Sequence, residues 1–150
     1  MQRHLESLEE EATHTTDEAR MLLPGVQAIL GFQLVAVTNN RFELLTANEQ
    51  HLFLGAFVLL AIAMGLLMAP AAYHRMAERG RVTRRFVELS SSLLAIALVP
   101  LIAAFSSDTY LVARMILKDR TIAIIVAAIV GCILAGRWYA MPAVCRRLRR

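Results

Sequence analysis

The chain has 150 residues, 57% of them hydrophobic, with a mean hydropathy of +0.53 and a formal net charge of +4 at pH 7. This composition is too apolar for an ordinary soluble domain of this size, and the length suits one helical bundle without a second folded domain. The basic charge does not indicate nucleic-acid binding, because the arginines are concentrated in short segments that flank apolar ones.

Residues 1–16 form an acidic N-terminal tail, which we expect to be partly disordered. The run Thr15-Thr16-Asp17-Glu18 has the spacing of a helix capping box, so the first helix is predicted to begin there. Residues 17–145 are predicted to form the transmembrane domain, and residues 146–150 form a basic end.

Four long apolar segments follow the tail. A helix rises ~1.5 Å per residue and the hydrocarbon core of a bilayer is ~30 Å thick, so about 20 apolar residues cross it. All four segments meet or approach that length, and they predict an all-α fold, a four-helix transmembrane bundle with up-down-up-down topology. They are about residues 21–38, 52–73, 86–106 (with an alternative end at 117) and 121–142.

Arginines are concentrated in the link after the second segment and at the C-terminal end. Short loops on the cytoplasmic side of a membrane carry an excess of lysine and arginine. Both termini are therefore predicted to lie in the cytoplasm, with these arginines anchored at the membrane surface. The predicted anchors are Arg75, Arg79, Arg81, Arg84, Arg85, Arg146 and Arg147.

Small residues recur at four-residue spacing in the second and fourth segments. Such rows let helix backbones approach closely, which is how helices associate in lipid. The pattern leaves open whether the rows pack inside one bundle or between protomers. The helix-packing residues are Ala61, Gly65, Ala69, Ala123, Ala127, Gly131 and Ala135.

The place of Asp108 depends on where the third helix ends. If the helix ends at residue 106, Asp108 caps a short interfacial helix; if it extends to 117, Asp108 is a buried acid in the outer half of the membrane. Arg114, Lys118 and Arg41 are then its candidate partners. The middles of the four segments carry no ionisable side chain nearby, which argues against an ion carrier. These middles are near Leu30, Ile62, Ile96 and Ile129.

Other polar residues fall inside the predicted spans. Glu88 and Arg137 are predicted to lie at similar depth near the cytoplasmic face, where each reaches the interface or the two pair across helices. Gln27 and Gln33 face different sides of the first helix, and both are expected to make hydrogen bonds between helices.

Several short runs along the chain together resemble a known family. They are Leu22-Leu23-Pro24-Gly25-Val26-Gln27, Gly31-Phe32, Arg41-Phe42, Ala69-Pro70, Tyr73-His74-Arg75, and Trp138 followed by Pro142. The chain resembles, over roughly residues 17–146, a family of small bacterial four-span integral membrane proteins of unknown function. Some members are labelled sodium–proton antiporters. The resemblance implies a bacterial cytoplasmic (inner) membrane location and supplies no established activity.

The function that the sequence favours is that of a structural or accessory membrane component, acting through helix packing and a charged cytoplasmic face. The alternative is an oligomeric ion channel or cation/proton transporter with Asp108 or Glu88 near the ion path. No enzyme, cofactor or metal is predicted, because no histidines, cysteines or paired acids are clustered as catalysis or metal binding needs. The expected partners are the lipid bilayer and either further copies of the chain or a membrane partner protein, with no nucleic acid.

Overall fold

The computed structural model describes residues 2–77 and 83–141, with side chains described for residues 10–76 and 83–141. The described residues form four α-helices and no strand. The helices are α1 (Gln2–Val37), α2 (Ala47–Ala77), α3 (Arg84–Leu117) and α4 (Arg120–Ala135). A 3-10 helix (Asn40–Leu44) lies between α1 and α2, and a π-helical turn (Gly136–Ala140) continues α4.

Each helix contains a stretch long and apolar enough to cross a membrane, so the predicted all-α, four-helix membrane fold is confirmed. These stretches are Glu10–Val37, Ala47–Met76, Arg84–Leu117 and Arg120–Ala140. One end of the bundle holds the 3-10 helix and the α3–α4 link, and we call it the 3-10 end. The opposite end holds the start of α1, and we call it the N-terminal end.

α3 is the centre of the bundle, because it packs against each of the other three helices. Its most extensive contact is with α2, followed by α4. The largest fully buried side chains are Leu60 and Leu67 of α2 with Leu101 and Ser90 of α3. The core therefore runs along the α2–α3 seam, and α1 and α4 cover parts of it.

The buried side of α1 follows a seven-residue repeat: Ala12, Ala19, Val26 and Gln33 are each at most 7% exposed. A seven-residue repeat keeps one stripe of a helix facing its partners, as in coiled coils. Three positions of this stripe are small or apolar, and the fourth is a glutamine.

α1 begins at Gln2, well before the predicted start, so the helix includes most of the acidic tail that was expected to be partly disordered. Thr15 does not cap it; its hydroxyl donates a hydrogen bond to the backbone oxygen of Glu11 at 2.9 Å. Ala12 packs in a cluster with Phe86 of α3. This contact buries part of the acidic segment, which local composition could not indicate.

α3 is one continuous helix that covers both of the ends considered for it, and Pro100 lies inside it. It ends where Lys118 takes a left-handed conformation with φ of 57°. The next residue, Asp119, caps α4 by accepting hydrogen bonds from two backbone N–H groups of its first turn, at 2.7 and 3.0 Å. Asp108 therefore lies in the interior of a helix and caps nothing.

Candidate functional site

Asp108 and Gln33 form a polar contact between α3 and α1. The side-chain nitrogen of Gln33, Nε2, lies 2.8 Å from Oδ1 and 2.9 Å from Oδ2 of Asp108, and donates to the carboxylate. Gln33 is only 4% exposed, and Asp108 is half-buried. Within the described residues, no lysine, arginine or histidine nitrogen lies within 4.0 Å of the Asp108 carboxylate. A neutral amide therefore replaces the basic partner that was expected.

The contact has more hydrogen-bond acceptors than donors. The amide oxygen of Gln33, Oε1, is buried and has no hydrogen-bond partner. The two carboxylate oxygens of Asp108 accept from the single amide nitrogen, so the pair has three acceptor oxygens and only one donor group. Buried polar atoms without partners are uncommon and costly, so this site is one that a donor could complete.

Three contacts between helices set the level of Asp108 in the bundle. Gln33 joins α1 to Asp108, and Arg114 of α3 lies 3.1 Å from Glu49 of α2. On the other side of α3, Ser106 approaches Gly131 of α4 so closely that a Cβ on this glycine would lie 2.7 Å from the serine hydroxyl. These three contacts fix which residues of α1, α2 and α4 lie at the same level as each residue of α3.

The middle of α3 lies closer to Asp108 than the sequence predicted. The predicted middles of the other helices, Leu30, Ile62 and Ile129, lie level with Phe105, Leu101 and Asp108 of α3, respectively. Asp108 is therefore within about 10 Å of the mid-level of the bundle at ~1.5 Å per residue. The expected middle, Ile96, is displaced because α3 continues to Leu117 instead of ending at residue 106.

A cavity of about 340 Å³ lies beside the Asp108–Gln33 contact, at the 3-10 end. Its wall is mostly apolar and includes Phe32, Phe42 and Phe53. The rings of Phe42 and Phe53 meet edge to face, with centroids 5.1 Å apart. Arg41 also lines the cavity, and its side chain is exposed. A second, more open hollow on the α4 side of α3 also reaches Asp108.

Arg114 has a different partner from the one expected. It lies 3.1 Å from Glu49, whose carboxylate also accepts hydrogen bonds at 2.9 Å from the backbone N–H and the hydroxyl of Thr46. Thr46 and Glu49 form a capping box at the start of α2, which was readable from the sequence. Arg41, Lys118 and this ion pair line an adjoining pocket at the 3-10 end. The basic residues expected beside Asp108 thus lie nearer the end of the bundle.

The sequence profile of a family of unknown function, DUF6328, matches residues 4–142. The chain belongs to this family. No curated protein and no solved structure matches the chain. Membership in DUF6328 confirms the predicted affiliation with a family of unknown function and brings no assigned activity with it.

In this DUF6328 chain the other three polar candidates are exposed and lie apart from Asp108. Gln27 faces away from the buried stripe of α1. Glu88 pairs with Arg84 of its own helix at 3.0 Å. Arg137 lies two residues before Tyr139, and the hydroxyl of Tyr139 donates to the backbone oxygen of Ala95 at 2.5 Å. Arg137 therefore lies more than two turns from Glu88, and the similar depth expected for them is not found.

The small-residue rows of the DUF6328 chain behave differently in α4 and α2. Ala123 and Ala127 are buried at 0% and 9% exposure, Gly131 contacts Ser106, and Ala135 is half-buried. In α2, Ala61 and Gly65 are exposed and Ala69 is half-buried. The buried face of α2 instead carries Ala56, Leu60, Ala63 and Leu67. The α2 row thus points away from the core.

Of the predicted membrane-surface anchors, Arg75, Arg84 and Arg85 are exposed at the N-terminal end. Arg79, Arg81, Arg146 and Arg147 lie outside the described residues. Gln33 was expected to make a hydrogen bond between helices, and it does, but the sequence did not place it among the candidates for an ion path. The sequence pattern that indicates its burial is the seven-residue spacing of Ala12, Ala19, Val26 and Gln33.

Proposed function

We propose that this DUF6328 protein carries protons or monovalent cations across a membrane, with Asp108 as the ion-binding group. The observation that supports this is a carboxylate near the mid-level of a four-span bundle, whose hydrogen bonds within the described residues come from a neutral amide. Ionisable groups are expensive to place in a membrane, and those found there commonly belong to ion pathways. Asp108 is nearer the mid-level of the bundle than the sequence predicted, which favours a role in transport.

The cavity supports access to Asp108 from the 3-10 end. On the opposite side, the bundle is filled by Leu60, Leu67 and Leu101, each at most 1% exposed. Ions that reach Asp108 therefore need a second conformation, or a second copy of the chain, to continue toward the N-terminal end.

We propose a location in the bacterial cytoplasmic membrane, with both termini in the cytoplasm. The exposed Arg75, Arg84 and Arg85 at the N-terminal end support this orientation, because basic residues accumulate on the cytoplasmic side. The cavity beside Asp108 then opens toward the outer side.

Ion flux in proteoliposomes tests the proposal. The purified protein is reconstituted with a trapped pH-sensitive dye and given proton, sodium and potassium gradients, with Asp108→Asn beside it. Glu88→Gln is the matched control, because it also neutralises an acid of α3, but an exposed one at the N-terminal end. We expect the flux of the Asp108 variant to be at least tenfold lower than that of the original chain, and the flux of the Glu88 variant to be unchanged.

Two outcomes contradict the proposal. One is a folded Asp108→Asn protein, monodisperse and helical, whose flux equals that of the original chain. The other is the absence of flux from the original chain under all three gradients, whichever way the protein is inserted.

A structural or accessory role is the second candidate, and the exposed row of Ala61 and Gly65 on α2 favours it. Small residues on a lipid-facing side allow another helix to pack closely, either from a further copy or from a membrane partner protein. Cysteine introduced at Ala61 should then crosslink between copies in native membranes, whereas cysteine at the exposed Ile62, about 100° around the same helix, should not. Crosslinking that is equal at both positions would reject this interface.

A further inference from the structure

The cavity beside Asp108 has properties that a proton or a metal ion does not explain. Its volume of about 340 Å³ is that of a small-molecule site, and such sites are mostly apolar with a few placed polar groups. A proton needs only the carboxylate. No group of three or more histidine, cysteine, aspartate or glutamate side chains that could hold a metal ion occurs in the part of the chain described. The occupant that fits is therefore larger and partly apolar.

The polar groups of the cavity define the charge and hydrogen bonding of its occupant. Asp108 offers a negative charge without a basic partner in the described residues, and the buried Oε1 of Gln33 lacks a donor. An anion would be repelled by the carboxylate, and a neutral acceptor would leave Oε1 unsatisfied. A positively charged nitrogen that carries at least one hydrogen supplies both the charge and the donor.

The apolar wall defines the rest of the occupant. Phe32, Phe42 and Phe53 line the cavity, and aromatic faces attract cations as well as apolar groups. A protonated amine with an aromatic or branched aliphatic body would place its body on these rings and its N–H on the Asp108–Gln33 contact.

We propose that this cavity binds a lipophilic ammonium ion that carries an N–H group, held by Asp108 and Gln33. The inference rests on the proposed function and gives its site a substrate class. Arg41 at the cavity wall is exposed and unfavourable for a cation, so it lowers the affinity to an extent that depends on salt.

Two matched probes test the requirement for an N–H group. Protonated N,N-dimethyl-4-phenylbenzylamine has one N–H, and its N-methylated quaternary form has the same charge and body without it. Binding of each is measured by equilibrium dialysis with the full chain in lipid nanodiscs. We expect the tertiary ammonium to bind at least tenfold more tightly, and Asp108→Asn to lose at least tenfold in affinity.

Three further variants separate the parts of the site. Gln33→Leu should reduce the preference for the tertiary over the quaternary probe, because it removes the orphan acceptor. Arg41→Gln should tighten binding of both probes by about two- to fivefold at low salt, and less at high salt. Glu88→Gln should leave both affinities unchanged.

Filling the cavity tests whether the probes bind inside it. Ala36 lines the cavity and is exposed, so Ala36→Trp adds a large side chain there without changing Asp108. We expect it to abolish binding of both probes, and undiminished binding would place the amines outside the cavity.

Two results overturn the amine site: no saturable binding of either probe to a chain that conducts protons, or equal affinity of Asp108→Asn and the original chain. Amine binding without any flux would instead keep the site and reject the transport function.

Discussion

The two halves of this bundle are built differently. Toward the N-terminal end, Leu60, Leu67 and Leu101 fill the α2–α3 seam with almost no exposed surface. Toward the 3-10 end, a cavity lies beside α1 and α3, and the contact between these two helices is the polar pair of Asp108 and Gln33. One half resembles the interior of a packed helical bundle, and the other resembles a binding site.

The buried stripe of α1 shows the same change along a single helix. At Ala12, Ala19 and Val26 it presents small or apolar side chains to the bundle, and one repeat later it presents Gln33. A polar residue at one position of such a repeat can fix the register of helices, at a cost in stability. Gln33 therefore has two candidate roles: it aligns the helices, or it forms part of a binding site.

The largest expected effect is in the packed half. Leu101→Ala should lower the free energy of unfolding by about 2–4 kcal/mol, because it leaves a cavity that its neighbours cannot fill. The measurement is reversible unfolding in lipid or mixed micelles, with the exposed Leu54→Ala as control. A similar loss in both variants would show that the two sites are equally loosely packed.

The next effect distinguishes the two roles of Gln33. Gln33→Leu should destabilise the bundle by about 1–3 kcal/mol, because it leaves the Asp108 carboxylate without its donors. Adding Asp108→Leu should restore the stability, since an apolar pair replaces a polar one. If the double variant stays as unstable as the single one, the glutamine contributes packing rather than hydrogen bonding.

A smaller difference is expected between the ion pairs of the two ends. Glu49 is 8% exposed and holds both Arg114 and the cap of α2, so Glu49→Gln should cost about 1–2 kcal/mol. Glu88 is exposed, and Glu88→Gln should leave the unfolding curve unchanged within error. Thermal unfolding of both variants side by side checks this, and equal losses would contradict it.

The smallest effect concerns two glycines. Alanine is generally favoured over glycine inside a helix by up to about 1 kcal/mol. Gly65→Ala should gain part of this, because nothing lies within 4 Å of the added carbon. Gly131→Ala should not gain this stability, because the added carbon would displace the Ser106 hydroxyl from its 2.8 Å hydrogen bond to the backbone oxygen of Ile102. Equal shifts in the unfolding midpoint would mean that α4 moves away from α3 at little cost.

The amino-acid sequence by itself determined that this chain forms four helices long and apolar enough to span a membrane. Length and apolarity are properties of contiguous residues, so they can be read without knowledge of neighbours. The seven-residue spacing that ends at Gln33 and the capping box of Thr46 and Glu49 were also readable, because both are local patterns.

Only the tertiary structure decided the partner and the level of Asp108. Gln33 lies 75 residues away in the chain, and no local pattern links the two. The level followed from contacts of α3 with three other helices, because a helix longer than the bilayer can slide along its axis without changing its own hydrogen bonds. The outward direction of Ala61 and Gly65 was decided in the same way, since a helix can rotate as freely as it slides until its neighbours bury one face.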